Sequence, residues 1–256
     1  MNKLSVYNIS NEFAGILNRK FIHIIEDNLM EITIKMKFKT LVYYMFCSQS
    51  GKTPKDYKKY QRELADKILA YGFQKQFGIS YIREHVQRGA HGKPVWKVHN
   101  NICFNVSNTA GVVVCALSHL EVGVDAERIR VVRLPMVKRC CQDSEFSYIM
   151  GRPQKISIES ESKKAGEEHL KLELNEIQQQ RFFQLWTLKE SYIKMTGDGM
   201  YFPMREVFFT IEDEKGKQEI TSNRQGFFVQ KQIGEYWISL CIAEQTELKW
   251  QEISLL

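Results

Sequence analysis

Apolar residues recur at three- and four-residue intervals from Tyr57 through Tyr60, Leu64 and Ile68 to Tyr71, which predicts a helix over about residues 55–77. The stretch 48–54 ahead of it, rich in Ser, Gly, Lys and Pro, reads as a loop. Alternation at Ile102, Phe104 and Val106 predicts a strand that ends in a polar turn. The continuous apolar run 111–117 predicts a buried strand, and 123–127 a further strand leading out of it. Helices are expected over 134–146 and 174–196, the second closed by Gly197 as a left-handed cap. Segments 208–211, 226–230 and 236–242 read as three strands of an antiparallel meander, with 212–217 as a hairpin tip.

The first fifty residues carry weaker patterns. Residues 4–9 read as a strand, 21–32 show helical spacing, and 35–39 alternate basic and apolar residues as an exposed strand edge does. The run 41–47 reads as a buried strand or helix segment. Residues 152–173 are rich in Ser, Glu, Lys and Gly and read as an inserted mobile loop.

With 256 residues and 43% hydrophobic content, the chain can bury one large core or two small ones. No stretch reaches the roughly 18 apolar residues of a membrane span, and the N-terminal residues lack the apolar core of a signal peptide. The expectation is a cytoplasmic protein without membrane contact. The six cysteines form no C-x-x-C pair; Cys103, Cys115 and Cys241 lie inside apolar runs and read as small core residues, and no histidine takes a catalytic role. The formal net charge of +6 suits an anionic partner. No helix-turn-helix, zinc or RNA-binding motif turns that excess into a case for nucleic acid.

The candidate chemistry lies in two stretches. In a strand, Asp125 and Glu127 share one face, and Gly123 lets another backbone or a ligand come close. In the later helix, Glu190 follows Trp186 by four residues and precedes Lys194 by four, with Lys189 one step round. Three carboxylates from Asp125, Glu127 and Glu190 suit Mg²⁺, and the neighbouring lysines point to a phosphate-bearing ligand.

These stretches, Gly123-Val-Asp-Ala-Glu127 and Trp186-Thr-Leu-Lys-Glu-Ser-Tyr-Ile-Lys-Met-Thr-Gly197, resemble the two-part signature of the Sfp-type 4′-phosphopantetheinyl transferases, G-x-D-x-E followed by W-x-x-K-E-(A/S)-x-x-K-x-x-G. His91-Gly-Lys-Pro94 resembles the family's G-K-P segment. Phe104-Asn-Val-Ser-Asn-Thr109 resembles its F-N-(I/L)-S-H-(S/T) segment, with Asn108 in place of the usual histidine. Asparagine donates a hydrogen bond but carries no charge.

The resemblance implies an α+β fold of two pseudosymmetric halves, each a small antiparallel sheet packed with helices, with the ligand cleft between them. The halves would be 1–118 and 119–256, in a monomer. It implies transfer of 4′-phosphopantetheine from coenzyme A to a serine of an apo acyl or peptidyl carrier protein, with Mg²⁺ (or Mn²⁺) held by Asp125, Glu127 and Glu190. Glu190 is expected as the base, with Glu127 as second candidate. Lys189 would stabilise the leaving phosphate and Lys194 the pyrophosphate. Arg62, Lys93, Ser107 and Asn108 would complete the coenzyme A contacts. Fatty-acid, polyketide and nonribosomal-peptide synthases are the carrier classes implied. The alternative is a coenzyme A or nucleotide-binding module without catalysis.

Overall fold

A computed structural model describes residues 39–89, 91–99, 101–151, 173–214 and 217–254. The expectations for 4–9, 21–32, most of 35–39 and the loop 152–172 lie outside the described residues.

Two of the apolar runs form the centre of the first sheet. Strand β1 (Lys39–Phe46) pairs antiparallel with the later strand β5 (Val112–Ser118). Tyr43 and Met45 of β1, with Val113, Cys115 and Leu117 of β5, face helix α1 (Pro54–Phe77) in one core. Val42 and Tyr44, with Val112, Val114 and Ala116, face a second core. Both faces of the sheet are therefore buried, which is why these runs show no alternation. The sheet is completed by β4 (Cys103–Thr109) beside β5 and by β11 (Glu247–Glu252), which runs parallel to β1. A small hairpin of β2 (Val86–Arg88) and β3 (Pro94–Trp96) adjoins β4.

The second sheet has the order β6 (Val122–Arg128), β10 (Tyr236–Ile242), β9 (Phe227–Ile233). Val122, Val124 and Ala126 of β6, with Ile238, Leu240 and Ile242 of β10, pack against the first sheet in the second core. Helix α4 (Glu176–Thr196) lies on the other face. A capping box of Asn175 and Gln178 starts α4, and Gly197 at φ +82° ends it. The short helices α2 (Leu134–Cys140) and α3 (Asp143–Met150) join α4 in a third core around Phe182, Phe183, Leu185 and Leu188. The result is an α+β architecture in layers: helix, sheet, sheet, helices. Among the described residues no helix is long and apolar enough to cross a membrane.

Two expectations change. The helix expected over 134–146 is two helices, because Gln142 starts a new one: its backbone N–H donates to the Glu145 carboxylate and its side chain to Arg205 O. The meander expected from 208–211, 226–230 and 236–242 is split. Strand β7 (Phe209–Glu214) pairs instead with β8 (Lys217–Ser222), a polar segment with no alternating apolar signal. Strand β11 also escaped the sequence reading, and it returns the late chain to the first sheet.

Gly123 sets the distance between β6 and α4. A Cβ there would stand 2.1 Å from Ser191 O and 2.3 Å from Met195 N, both backbone atoms that cannot step aside. Gly123→Ala is expected to cost about 3 kcal/mol or more in a urea melt. The control Gly89→Ala, whose nearest neighbour is 3.6 Å away, should stay within about 0.5 kcal/mol.

Candidate functional site

The site begins at the seam between the two sheets. Asn105, Ser107 and Thr109 recur every second residue along β4 and so share one face. The Asn105 Oδ1 accepts from Val124 N at 3.0 Å, Ser107 Oγ from Ala126 N at 3.1 Å, and Thr109 Oγ1 from Arg128 N at 3.5 Å. Polar side chains thus satisfy the free edge of β6. Asp125 and Glu127, between the bonded residues, are drawn to the same strand: Ser107 donates to Asp125 Oδ1 at 2.9 Å and Thr109 to Glu127 Oε2 at 3.3 Å.

The close approach at Gly123 then brings α4 over these carboxylates. Trp186, Glu190, Ile193, Lys194 and Gly197 line one side of a cleft of about 800 Å³. The β2–β3 hairpin supplies His91, Lys93 and Pro94; β4 supplies Asn105 and Val106; α2 supplies Arg139 and Cys140; residues 202–205 close the far wall. Such a volume is of the size that holds a cofactor-scale ligand.

The carboxylates interact strongly. Lys194 Nζ donates to Asp125 Oδ1 at 2.6 Å and to Ser107 Oγ at 3.0 Å. Arg130 donates to Glu127 Oε2 at 2.7 Å and stacks over Phe183. Burial, with the charges of Asp125 and Glu127 beside it and Lys194 opposing, pushes the Glu190 carboxyl up to about 7. Asp125 Oδ2 is buried with no hydrogen-bond partner. As the side chains stand, no group of three His, Cys, Asp or Glu among the described residues is gathered closely enough to hold a metal. The donor set nonetheless suits a hard cation in kind: all-oxygen ligands, mutual repulsion, and one orphaned buried oxygen.

The other site residues named from sequence fall in several places. Lys93 lines the cleft, its Nζ donating to Met195 O at 2.5 Å and to the Glu121 carboxylate. Ser107 is buried in the seam rather than open to a phosphate, and Asn108 is exposed. Arg62 is exposed on α1 and does not line the cleft. Lys189 departs furthest. It is fully buried, bonded to Glu145 at 2.7 Å, Met204 O at 3.1 Å and Val207 O at 2.5 Å. It stays beside Glu190 in sequence but points about 100° away around the helix, into the third core. The structure gives it no contact with the cleft. Conversely, Arg139 and Arg205 line the cleft without having been singled out, since nothing in their local sequence separates them from ordinary surface cations; His91, quoted only as the start of the G-K-P segment, lines it too.

Two outcomes follow from these environments. The folded Glu190 carboxyl sits above its usual value of 4.5, so its contribution to stability is present below about 4.5 and lost as pH rises through about 7. In chelator-treated protein Glu190→Gln should therefore be more stable than the parent above pH 7, by about 2 kcal/mol after allowance for the exposed fraction. The gap should close toward pH 4.5. Denaturant melts across this range check both points. Lys189→Met leaves Glu145 buried without its cation and should cost about 3 kcal/mol or more. Adding Glu145→Gln should return part of that loss in a double-mutant cycle.

Residues 121–241 match the family described as the 4′-phosphopantetheinyl transferase superfamily. The chain is 32% identical over 118 residues to the 4′-phosphopantetheinyl transferase gsp of Aneurinibacillus migulanus, a stretch covering 46% of this chain and 40% of that protein. It is 27% identical over 131 residues to the 4′-phosphopantetheinyl transferase Sfp of Bacillus subtilis strain 168, covering 51% of this chain and 48% of that one. A further 4′-phosphopantetheinyl transferase of Bacillus subtilis is 21% identical over 183 residues, covering 70% and 72%. The aligned stretches of the gsp and Sfp proteins thus span less than half of their own lengths. The matched region contains β6, α2, α3, α4 and the strands through β10, which carry every carboxylate of the site. Residues 121–241, a little under half of the chain, are thus what is similar to the 4′-phosphopantetheinyl transferase superfamily.

Proposed function

We propose that the protein transfers the 4′-phosphopantetheine group of coenzyme A to a serine hydroxyl of an apo acyl or peptidyl carrier protein, releasing adenosine 3′,5′-bisphosphate. The observation that carries this reading is that Glu190 and Lys194 line a cleft of cofactor size, with Asp125 bonded to Lys194 behind them and Glu127 near enough for its charge to act on Glu190. Here acidic and basic groups converge on a cavity rather than on bulk solvent.

Asp125, Glu127 and Glu190 would hold Mg²⁺, which when bound would neutralise charge on the pyrophosphate. Reorienting from Asp125, Lys194 is placed to meet a phosphate oxygen, and Lys93 lies across the cleft for the nucleotide end. The Glu190 carboxylate takes the proton of the attacking serine. Trp186 and Phe202 give the cleft apolar surface, which excludes water from the transferred group. Lys189 acts at a distance from this chemistry: it fixes the segment carrying Met204 and Arg205 to α4 and α3.

The direct test is the intact mass of a small apo carrier protein incubated with the protein, coenzyme A and Mg²⁺. The expected result is a gain of one phosphopantetheine mass, abolished by a chelator. Glu190→Gln should lower the rate by about 10²-fold or more while coenzyme A still binds. Coenzyme A binding without any mass gain on acyl and peptidyl carriers would instead establish a binding module.

A further inference from the structure

Lys194 occupies an unusual position for a group that is to meet substrate. Its ammonium is 2.6 Å from Asp125 Oδ1 and 3.0 Å from Ser107 Oγ, and its side chain is only partly exposed. Ser107 is itself committed, donating to the same Asp125 oxygen and accepting from Ala126 N. Asp125 is buried at the seam, and its second oxygen has no partner. A buried carboxylate needs a counter-charge. Among the described residues, Lys194 is the cation bonded to it.

We propose that Lys194 is a built-in counter-cation for Asp125, whose charge on Oδ1 opposes the binding of a divalent metal ion at the unpartnered Oδ2 and lowers the resting affinity for metal. The proposal rests on the metal reading given above. A metal on Oδ2 and the ammonium on Oδ1 repel each other across the carboxylate. Lys194 lines the cleft, so it can relieve that repulsion by turning into the cleft, where a phosphate would take it up. Lys194 would in this way protect the metal-free fold from an unpaired buried charge and weaken the resting affinity for metal.

The test is the binding of Mn²⁺, followed by its electron paramagnetic resonance signal, to the full chain without coenzyme A. Parent, Lys194→Met and Lys194→Arg are compared. Lys194→Met should bind Mn²⁺ about tenfold more tightly than the parent, whereas Lys194→Arg, which keeps the charge, should not. In parallel, Lys194→Met should melt lower than the parent in chelator and recover a larger share of its stability on adding Mg²⁺. This thermal readout remains available if the variant folds only with metal present. Parent protein that binds Mn²⁺ while Lys194→Met binds it equally or more weakly would overturn the proposal alone. A parent that binds no Mn²⁺ at millimolar concentration would overturn the metal reading, and this proposal with it.

Discussion

The site depends on a ladder of side-chain-to-backbone hydrogen bonds between two sheets that share no backbone pairing at that point. Asn105, Ser107 and Thr109 meet the backbone N–H groups of 124, 126 and 128 with a constant offset of 19 residues. An unpaired strand edge is a liability in water and an open template for other chains. Here the edge is covered by the protein's own side chains. Because the ladder has the two-residue period of a strand, it fixes which residues of β6 face the helix. A slip of one residue would turn Asp125 and Glu127 into the apolar interface with the first sheet and place Val124 and Ala126 on the site.

Helix α4 shows how a step of one residue, about 100° of rotation, decides the fate of a charge. Glu190 and Lys194 stand on the face over the cleft, and Lys189 on the face over the third core. Lys189 is tolerable there because Glu145 and two carbonyl oxygens take its three protons. Glu145 in turn accepts from Gln142 N and Phe209 N. This buried network joins the start of α3, the middle of α4 and the entry to β7, so the far wall of the cleft is positioned from beneath.

Much of the frame was legible in the sequence. The period of α1, the continuous run of β5 and the Gly197 cap of α4 follow from local patterning, whereas the run of β1 left strand and helix open and the Asn175 cap went unread. The expected proximity of backbone at Gly123 matches the packing of α4 on β6. What did not read was set by tertiary partners. β8 and β11 are polar or half-exposed and hold their places through register with a neighbour rather than through an apolar pattern. Ser107 and Asn108 read as coenzyme A contacts, and only the position of β6 shows Ser107, with Asn105 and Thr109, as a seam. Lys189 reads as a second cleft lysine because its neighbour is Glu190. Burial is decided by Glu145, 44 residues earlier, which no local window contains.

The parallel pairing of β11 with β1 has a consequence for synthesis. The first sheet contains the earliest strand described and one of the last, with Lys39 opposite Glu247. The ribosome must therefore release nearly the whole described chain before that sheet has all four strands. Until then, among the described strands, β1 has β5 on one side only, and its other edge is the last in the sheet to be paired.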